Sequence, residues 1–218
     1  MPGLHHVTRG GEPLTIALSP TVNVVKVSVG PGDNNAYLLA GTGLVLVDAA
    51  DDAATLLGLV GDRRLDTLVT THRHRDHWQA LAALADRSDR LVAGRPDAEA
   101  IAEGAGVPTP EGVWDAGRVE LGDEHLDVVG LVGHTPGSIV LAYRGTEGPT
   151  HLFTGDSLFP GGPGKTWGPE DFDSLMDDLE AKVFNRFADD TVVHPGHGDA
   201  TTIGAERPHL KEWRARGW

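Results

Sequence analysis

Between Thr71 and His77 the chain reads Thr-His-Arg-His-Arg-Asp-His, three histidines and one carboxylate within six positions. No other stretch limits the fold so tightly, because these side chains suit a shared metal and little else. Zinc takes imidazole nitrogens and carboxylate oxygens. Residues 65–71, Leu-Asp-Thr-Leu-Val-Thr-Thr, are rich in β-branched side chains and read as a buried strand. If that strand runs on, His72, His74 and Asp76 fall on one side, and Arg73 and Arg75 point away. His77 breaks the alternation, so the chain must turn near Asp76. Residues 78–85 then read as a helix with Leu81, Leu84 and Ala85 on its apolar face. Asp76 could simply cap that helix, but a cap accounts for one residue and not for the set.

The later sequence adds what such a site still lacks. His134 lies in Gly-His-Thr-Pro-Gly, Asp156 in Thr-Gly-Asp-Ser-Leu-Phe and His197 in Pro-Gly-His-Gly. With the first motif these make five histidines and two aspartates, each in a Gly- or Thr-flanked turn. His5, His6, His125, His151, His194 and His209 lack such context and read as surface or packing residues. His194 is near enough to His197 to support it.

With these residues in this order, the chain resembles the metallo-β-lactamase superfamily, and within it the short bacterial glyoxalase II-like hydrolases. The resemblance runs from Asn35-Ala36-Tyr37-Leu38 to Arg207. It implies an α/β fold, a four-layer αββα sandwich with two mixed sheets face to face and the site at one edge. It implies that His72, His74 and His134 hold a first metal, that Asp76, His77 and His197 hold a second, and that Asp156 bridges both. Two zinc ions per chain are the expected cofactors, with iron as the alternative. Zinc lowers the pKa of water to near neutral, so a hydroxide is available to attack a carbonyl. Asp76 is the expected catalytic residue, orienting that nucleophile or carrying a proton to the leaving group. The resemblance favours a thioester as substrate, as in hydroxyacylglutathione hydrolysis. A mononuclear iron persulfide dioxygenase, and lactone or phosphodiester hydrolysis on the same metals, are the alternatives.

The chain departs from the glyoxalase II pattern at three places. Trp78-Gln79-Ala80 stands where two glycines usually follow the Asp-His. Ser138 replaces a histidine. Only a short tail, beginning at residues 201–207, follows the last expected ligand in place of a glutathione-binding helical domain. The Ala-, Gly-, Asp- and Arg-rich, lysine-poor composition suits a high-GC bacterium, and in an actinobacterium mycothiol would be the expected thiol carrier.

Composition sets the remaining bounds. A chain of 218 residues fits one domain spanning residues 1–218. It has no cysteine, which excludes disulfides, a Cys-zinc site, a cysteine nucleophile and the family branch with a cysteine ligand. There is no apolar run long enough to span a membrane, and residues 1–6 have no signal-peptide core, so a cytoplasmic location is expected. A net charge of −14, with basic residues dispersed apart from Arg207, Lys211, Arg214 and Arg216, argues against nucleic-acid binding. The expected partner is a small-molecule substrate, an anionic thiol conjugate. Gly164-Lys165-Thr166 ends like a phosphate-binding loop, but Phe159 stands where that motif needs its first glycine. Lys165 is instead a candidate for an anionic substrate tail, and Trp167 for a pocket wall.

The other elements read as strands at residues 22–29, 36–40, 43–47, 91–93, 139–143, 151–154 and 191–193, and residues 126–132 are an apolar run leading into His134. Helices are expected at 51–60, 96–103 and 170–187, the last with Leu175, Leu179 and Val183 on one face.

Overall fold

The computed structural model describes residues 3–217. Strands β1 (Leu14–Ala17), β2 (Asn23–Ser28), β3 (Asn35–Ala40), β4 (Leu44–Val47), β5 (Leu65–Thr70), β6 (Ser88–Gly94) and β7 (Glu111–Val113) form one sheet in sequence order. Its first four strands are antiparallel, and β4 to β7 are parallel. Strands β8 (Arg118–Leu121), β9 (Glu124–Leu131), β10 (Ser138–Tyr143), β11 (His151–Gly155), β14 (Val192–Pro195) and β15 (Thr201–Thr202) form a second sheet. Its order is β15-β14-β11-β10-β9-β8, with only β11 and β14 parallel. A small ribbon joins β12 (Leu158–Phe159) to β13 (Gly162–Pro163).

Both sheets are apolar on both faces, and the alternation of side chains sorts them into three cores. Leu39, Val45, Val47 and Val69 point inward to meet Leu126, Val128, Ile139, Leu141 and Phe153 of the facing sheet. Leu38, Leu46 and Leu68, one residue out of phase, meet helices α1 (Ala53–Val60), α2 (Leu81–Ala85) and α3 (Ala98–Ala105). Val129, Leu131, Val140 and Leu152 face α4 (Pro169–Asp178), α5 (Ile203–Glu206) and α6 (Leu210–Arg216). The result is the four-layer αββα sandwich.

Several expectations are refined. Residues 78–85 are not all helix, because α2 begins at Leu81. The Trp78 indole donates to the Arg73 carbonyl, and the amides of Gln79 and Ala80 donate to Ala50 and Ala49. Those groups are satisfied outside a helix. The helix expected from residue 96 starts at Ala98, and Asp97 turns its carboxylate inward instead of capping. The long helix at 170–187 divides: α4 ends at Asp178 and residues Leu179–Phe184 widen into a π-helical turn. That turn keeps Lys182 on the Gly130 carbonyl and Asp178 on the Val132 amide, both at the end of β9. The tail from residue 201 is more built than its length suggests, since it forms β15, α5 and α6 and buries Trp213. Strands β1, β7, β8, β12, β13 and β15, of two to four residues each, were not among the expected elements.

Candidate metal centre

The functional side chains leave the carboxyl ends of strands that run the same way. Asp48 follows β4, His72 to His77 follow β5, His134 follows β9, Asp156 follows β11 and His197 follows β14. They meet at one edge of the sandwich. β5 stops at Thr70 and residues Arg75–His77 curl into a single 3-10 turn. The extended-strand expectation therefore fails for Asp76, which is carried away from His72 and His74 to join His77 and His197. Arg73 and Arg75 do point outward and are exposed.

Three groups of facing ligand atoms result: His72, His74 and His134; Asp76, His77 and His197; and His72, His77 and Asp156. In the first, His72 Nε2, His74 Nδ1 and His134 Nε2 stand 3.1, 2.9 and 3.2 Å apart. Ligand atoms on a tetrahedral zinc with bonds of about 2.0 Å are about 3.3 Å apart. In the second, His77 Nε2 and His197 Nε2 are 3.3 Å apart, and His197 Nε2 is 3.3 Å from Asp76 Oδ2. Asp156 lies between the groups. Its Oδ1 is 3.3 Å from His77 Nε2, and its Oδ2 is 3.4 Å from His197 Nε2 and 3.7 Å from His134 Nε2.

The far nitrogens decide what these facing atoms are. His134 Nδ1 donates to the Lys165 carbonyl at 2.6 Å, and His197 Nδ1 donates to the Gly32 carbonyl at 2.7 Å. His77 Nδ1 donates to Asp48 Oδ2 at 2.8 Å. The Thr71 hydroxyl donates to Asp48 at 2.8 Å, so it can only accept from His72 Nδ1 at 3.1 Å. With Nδ1 protonated in each of these rings, a neutral ring offers its Nε2 lone pair inward. His72 and His134 thus aim two lone pairs at each other, which a cation would satisfy and a hydrogen bond cannot. Asp156 Oδ1 is buried without a hydrogen-bond partner. The residues present fit a metal cluster.

The two halves differ in charge. Burial holds His72 well below its ordinary value, helped by neighbouring His77. Burial and His134 bring His74 down to about 4, and burial lowers His134 as well. The first half is three neutral imidazoles at pH 7. In the second, burial opposes a charge on His77, yet Asp48 and Asp156 push it up to about 10. Burial also opposes a charge on His197, yet Asp156 and Asp76 push it up to about 10. The His197 hydrogen bond pulls Asp76 down to about 2. Burial opposes ionisation of Asp156, but His197 and His77 hold it far below the usual carboxylate range. Protons on His77 and His197 thus balance the two carboxylates.

Residues that had no motif hold this arrangement. Asp48 is buried and takes the Thr71 amide, the Thr71 hydroxyl and His77. Its signal was an acid closing the apolar run Leu-Val-Leu-Val. Asp97, also buried, accepts from the Arg73 amide at 3.0 Å and the Thr135 hydroxyl at 2.6 Å, tying the two turns of the first half together. Asn34 donates to the backbone and side-chain oxygens of Asp76 at 3.0 and 3.1 Å. His194 does not touch the site. It is buried, stacked on Phe153 and hydrogen-bonded to His151 at 3.1 Å. Gly196 passes so close that a Cβ there would stand 2.4 Å from Asp156 Oδ1 and 2.5 Å from His77 Cε1.

The mouth of the centre opens beside His134. A cleft of about 120 Å³ is lined by residues that include Arg73, Val132, Pro136 and Trp167. Trp167 is 61% exposed, its ring 6.1 Å from that of His74, and the Lys165 ammonium sits 4.5 Å above the indole.

A family model described as the metallo-beta-lactamase superfamily matches residues 29–197. An uncharacterized protein of Mycobacterium tuberculosis is 33% identical over 205 residues, covering 79% of this chain and 89% of that one. The hydroxyacylglutathione hydrolase of Anaeromyxobacter dehalogenans is 34% identical, covering 76% of this chain and 61% of that enzyme. That of Haemophilus influenzae is 29% identical, covering 74% and 83%. Among solved structures, TTHA1623 in a di-iron-bound form is 31% identical with a TM-score of 0.66, covering 84% of this chain and 96% of that one. ETHE1 from Myxococcus xanthus is 25% identical with a TM-score of 0.71, covering 86% and 82%.

Proposed function

Since the chain belongs to the metallo-β-lactamase superfamily, we propose that it is a dinuclear zinc hydrolase that cleaves a thioester. One observation carries the reading: Asp156 reaches both ligand groups through a single carboxylate. We assign His72, His74 and His134 to the first metal, Asp76, His77 and His197 to the second, and Asp156 to both. Zinc bound there would supply a Lewis acid and water ionised near neutral pH.

The chain's own residues do the rest. Asp76 is half-exposed, held by Asn34 and His197, and is ionised at neutral pH. From there its free oxygen accepts the proton of an attacking water and returns it to the leaving group. A thiolate leaving group needs little such help, so a thioester suits a site that offers Asp76 as its proton carrier. Lys165 would bind an anionic tail of the thiol carrier, and Trp167 would wall the cleft beside His134. The likeness to hydroxyacylglutathione hydrolases supports the substrate class. Glutathione and mycothiol both stand as candidate carriers.

Iron is the second reading, favoured by the likeness to TTHA1623 solved with two irons. An iron persulfide dioxygenase is its enzymatic form, drawing on the likeness to ETHE1. The complete second ligand group weighs against a mononuclear centre.

The test is elemental analysis of protein purified without added metal or chelator, followed by a panel of glutathione, mycothiol and simple thioesters. Two zinc ions per chain with thioester turnover is the expected result. One iron with oxygen consumption on a persulfide, and no thioester turnover, overturns the reading.

A further inference from the structure

β2 carries a lysine where the fold calls for an apolar residue. Val24, two positions earlier on the same face, lies in the core between the sheets. Lys26 is fully buried, and its ammonium donates to the carbonyls of Gly198 at 2.6 Å and His5 at 3.0 Å. Among the described residues no carboxylate reaches it as an ion pair. Burial pushes it down to about 8, with Asp199 and Asp33 acting against the shift. A buried ammonium is costly, and an apolar side chain of similar volume is often neutral or stabilising in such a place.

Its two contacts lie on either side of one turn. Gly198 follows His197, and the same backbone is gripped by two neighbours of Lys26 on β3. Tyr37 donates to the Pro195 carbonyl at 2.6 Å, and Asn35 donates to the carbonyls of Pro195 and Gly198 at 2.9 and 3.0 Å. From the outside, the N-terminal strap closes over the turn. The Ala200 amide donates to the Leu4 carbonyl at 2.8 Å, and His6 pairs with Asp199 at 2.5 Å. Lys26 holds strap and turn together from the inside, as the His6–Asp199 pair does from the outside.

We propose that Lys26 is a positioning residue for the second metal: bridging the N-terminal strap to Gly198, it fixes the turn that presents His197. Among the described residues Lys26 makes no such contact with the turns of the first group, so the effect is confined to one of the two metal positions. The proposal rests on the assignment of His197 to the second metal.

The experiment is zinc titration of the metal-free full-length chain in competition with a chromophoric chelator, alongside thermal melts. Lys26→Met weakens one zinc-binding constant by about tenfold or more, as loss of a ligand-orienting contact does, and leaves the other unchanged. The metal-free variant melts no lower than the parent, which a merely structural lysine would not allow. In a His197→Ala background Lys26→Met changes zinc binding no further, and in a His134→Ala background its effect persists. Removal of residues 1–6, which spares Lys26 but takes away the strap, weakens the same constant and serves if Lys26→Met does not fold. Equal weakening of both constants, or of neither, overturns the proposal. If His197→Ala itself leaves both constants intact, the ligand assignment fails instead.

Discussion

Asp48 and His77 share a buried hydrogen bond of 2.8 Å, the carboxylate accepting from the ring nitrogen that faces away from the metal centre. The same carboxylate also takes the amide and hydroxyl of Thr71 at 2.8 Å each. All its bonds are to donors, so an amide in its place must turn its NH₂ towards one of them. Asp48→Asn should therefore disorient His77 or Thr71. Orienting partners of metal ligands typically contribute about 10- to 100-fold in affinity. A loss of that size in chelator competition is expected, and unchanged affinity would show that Asp48 only packs.

Opposite charge states in the two halves give the metal-free chain a two-sided pH dependence. His72, His74 and His134 are held neutral, below their unfolded values. The unfolded chain binds more protons there as pH falls below 6.5, so stability declines on the acid side. His77 and His197 are raised from 6.5 to about 10, and their contribution is full below 6.5 and lost as pH rises through about 10. The melting temperature of the metal-free chain should thus peak near neutral pH and fall towards pH 10. Asp156→Asn should flatten the alkaline fall, because it removes a carboxylate that charges both histidines. A melting temperature that rises between pH 7 and 10 would contradict this.

Metal uptake has the reverse sign. A metal on the second half must displace the protons of His77 and His197, whereas the first half has none to give. His134→Ala, which keeps the second group, should release more protons per zinc than His197→Ala, which keeps the first. A pH indicator in weak buffer reads this directly, and equal release from the two variants would refute the asymmetry.

The candidate ligands were legible in the sequence because few residue types bind zinc and each one stood in a marked turn. His72, His74, His77, Asp76, His134, Asp156 and His197 all reach one centre. Their partition was not legible from strand periodicity, since β5 ends at Thr70 and the 3-10 turn rotates Asp76 away. What holds the ligands was harder to read. Asp48 lies 29 residues from His77, and Lys26 lies 172 from Gly198. In Asn-Val-Val-Lys-Val-Ser a lysine on alternate positions reads as solvent-facing, and only a second sheet packed over that face makes it buried. The break in the long helix at Leu179 was hidden because Leu175, Leu179 and Val183 keep helical spacing while the backbone adds a residue.

Gly196 tests how closely the backbone must pass. Its φ carries no constraint, so the glycine is needed for room alone: a Cβ would meet Asp156 Oδ1 at 2.4 Å and His77 Cε1 at 2.5 Å. Gly196→Ala must push apart the carboxylate proposed to bridge the metals and one ligand of the second. Overpacking of this kind costs about 1–3 kcal/mol, so the chain should still fold. Zinc content below two per chain and a loss of turnover of at least about tenfold are expected, since a displaced bridging ligand weakens both positions. Full metal content in the variant would mean that Asp156 can move without leaving the metals.

Lys165 and Trp167 separate binding from chemistry. Lys165 serves the centre through its backbone carbonyl, which accepts from His134 Nδ1 at 2.6 Å, while its ammonium lies over the Trp167 indole. Replacing the side chain leaves that carbonyl in place. If the ammonium binds an anionic tail remote from the reacting carbonyl, its interaction is the same in ground and transition states. Lys165→Ala should then raise KM with little change in kcat, by about tenfold or more for a hydrogen bond to a charged group worth roughly 1.5–3 kcal/mol. The increase should shrink with rising salt and vanish for an uncharged thioester. Trp167→Ala should raise KM for both substrates, because it removes a wall of the cleft beside His134 and not a charge. An equal fall in kcat and kcat/KM for Lys165→Ala would place the lysine at the reacting atoms instead.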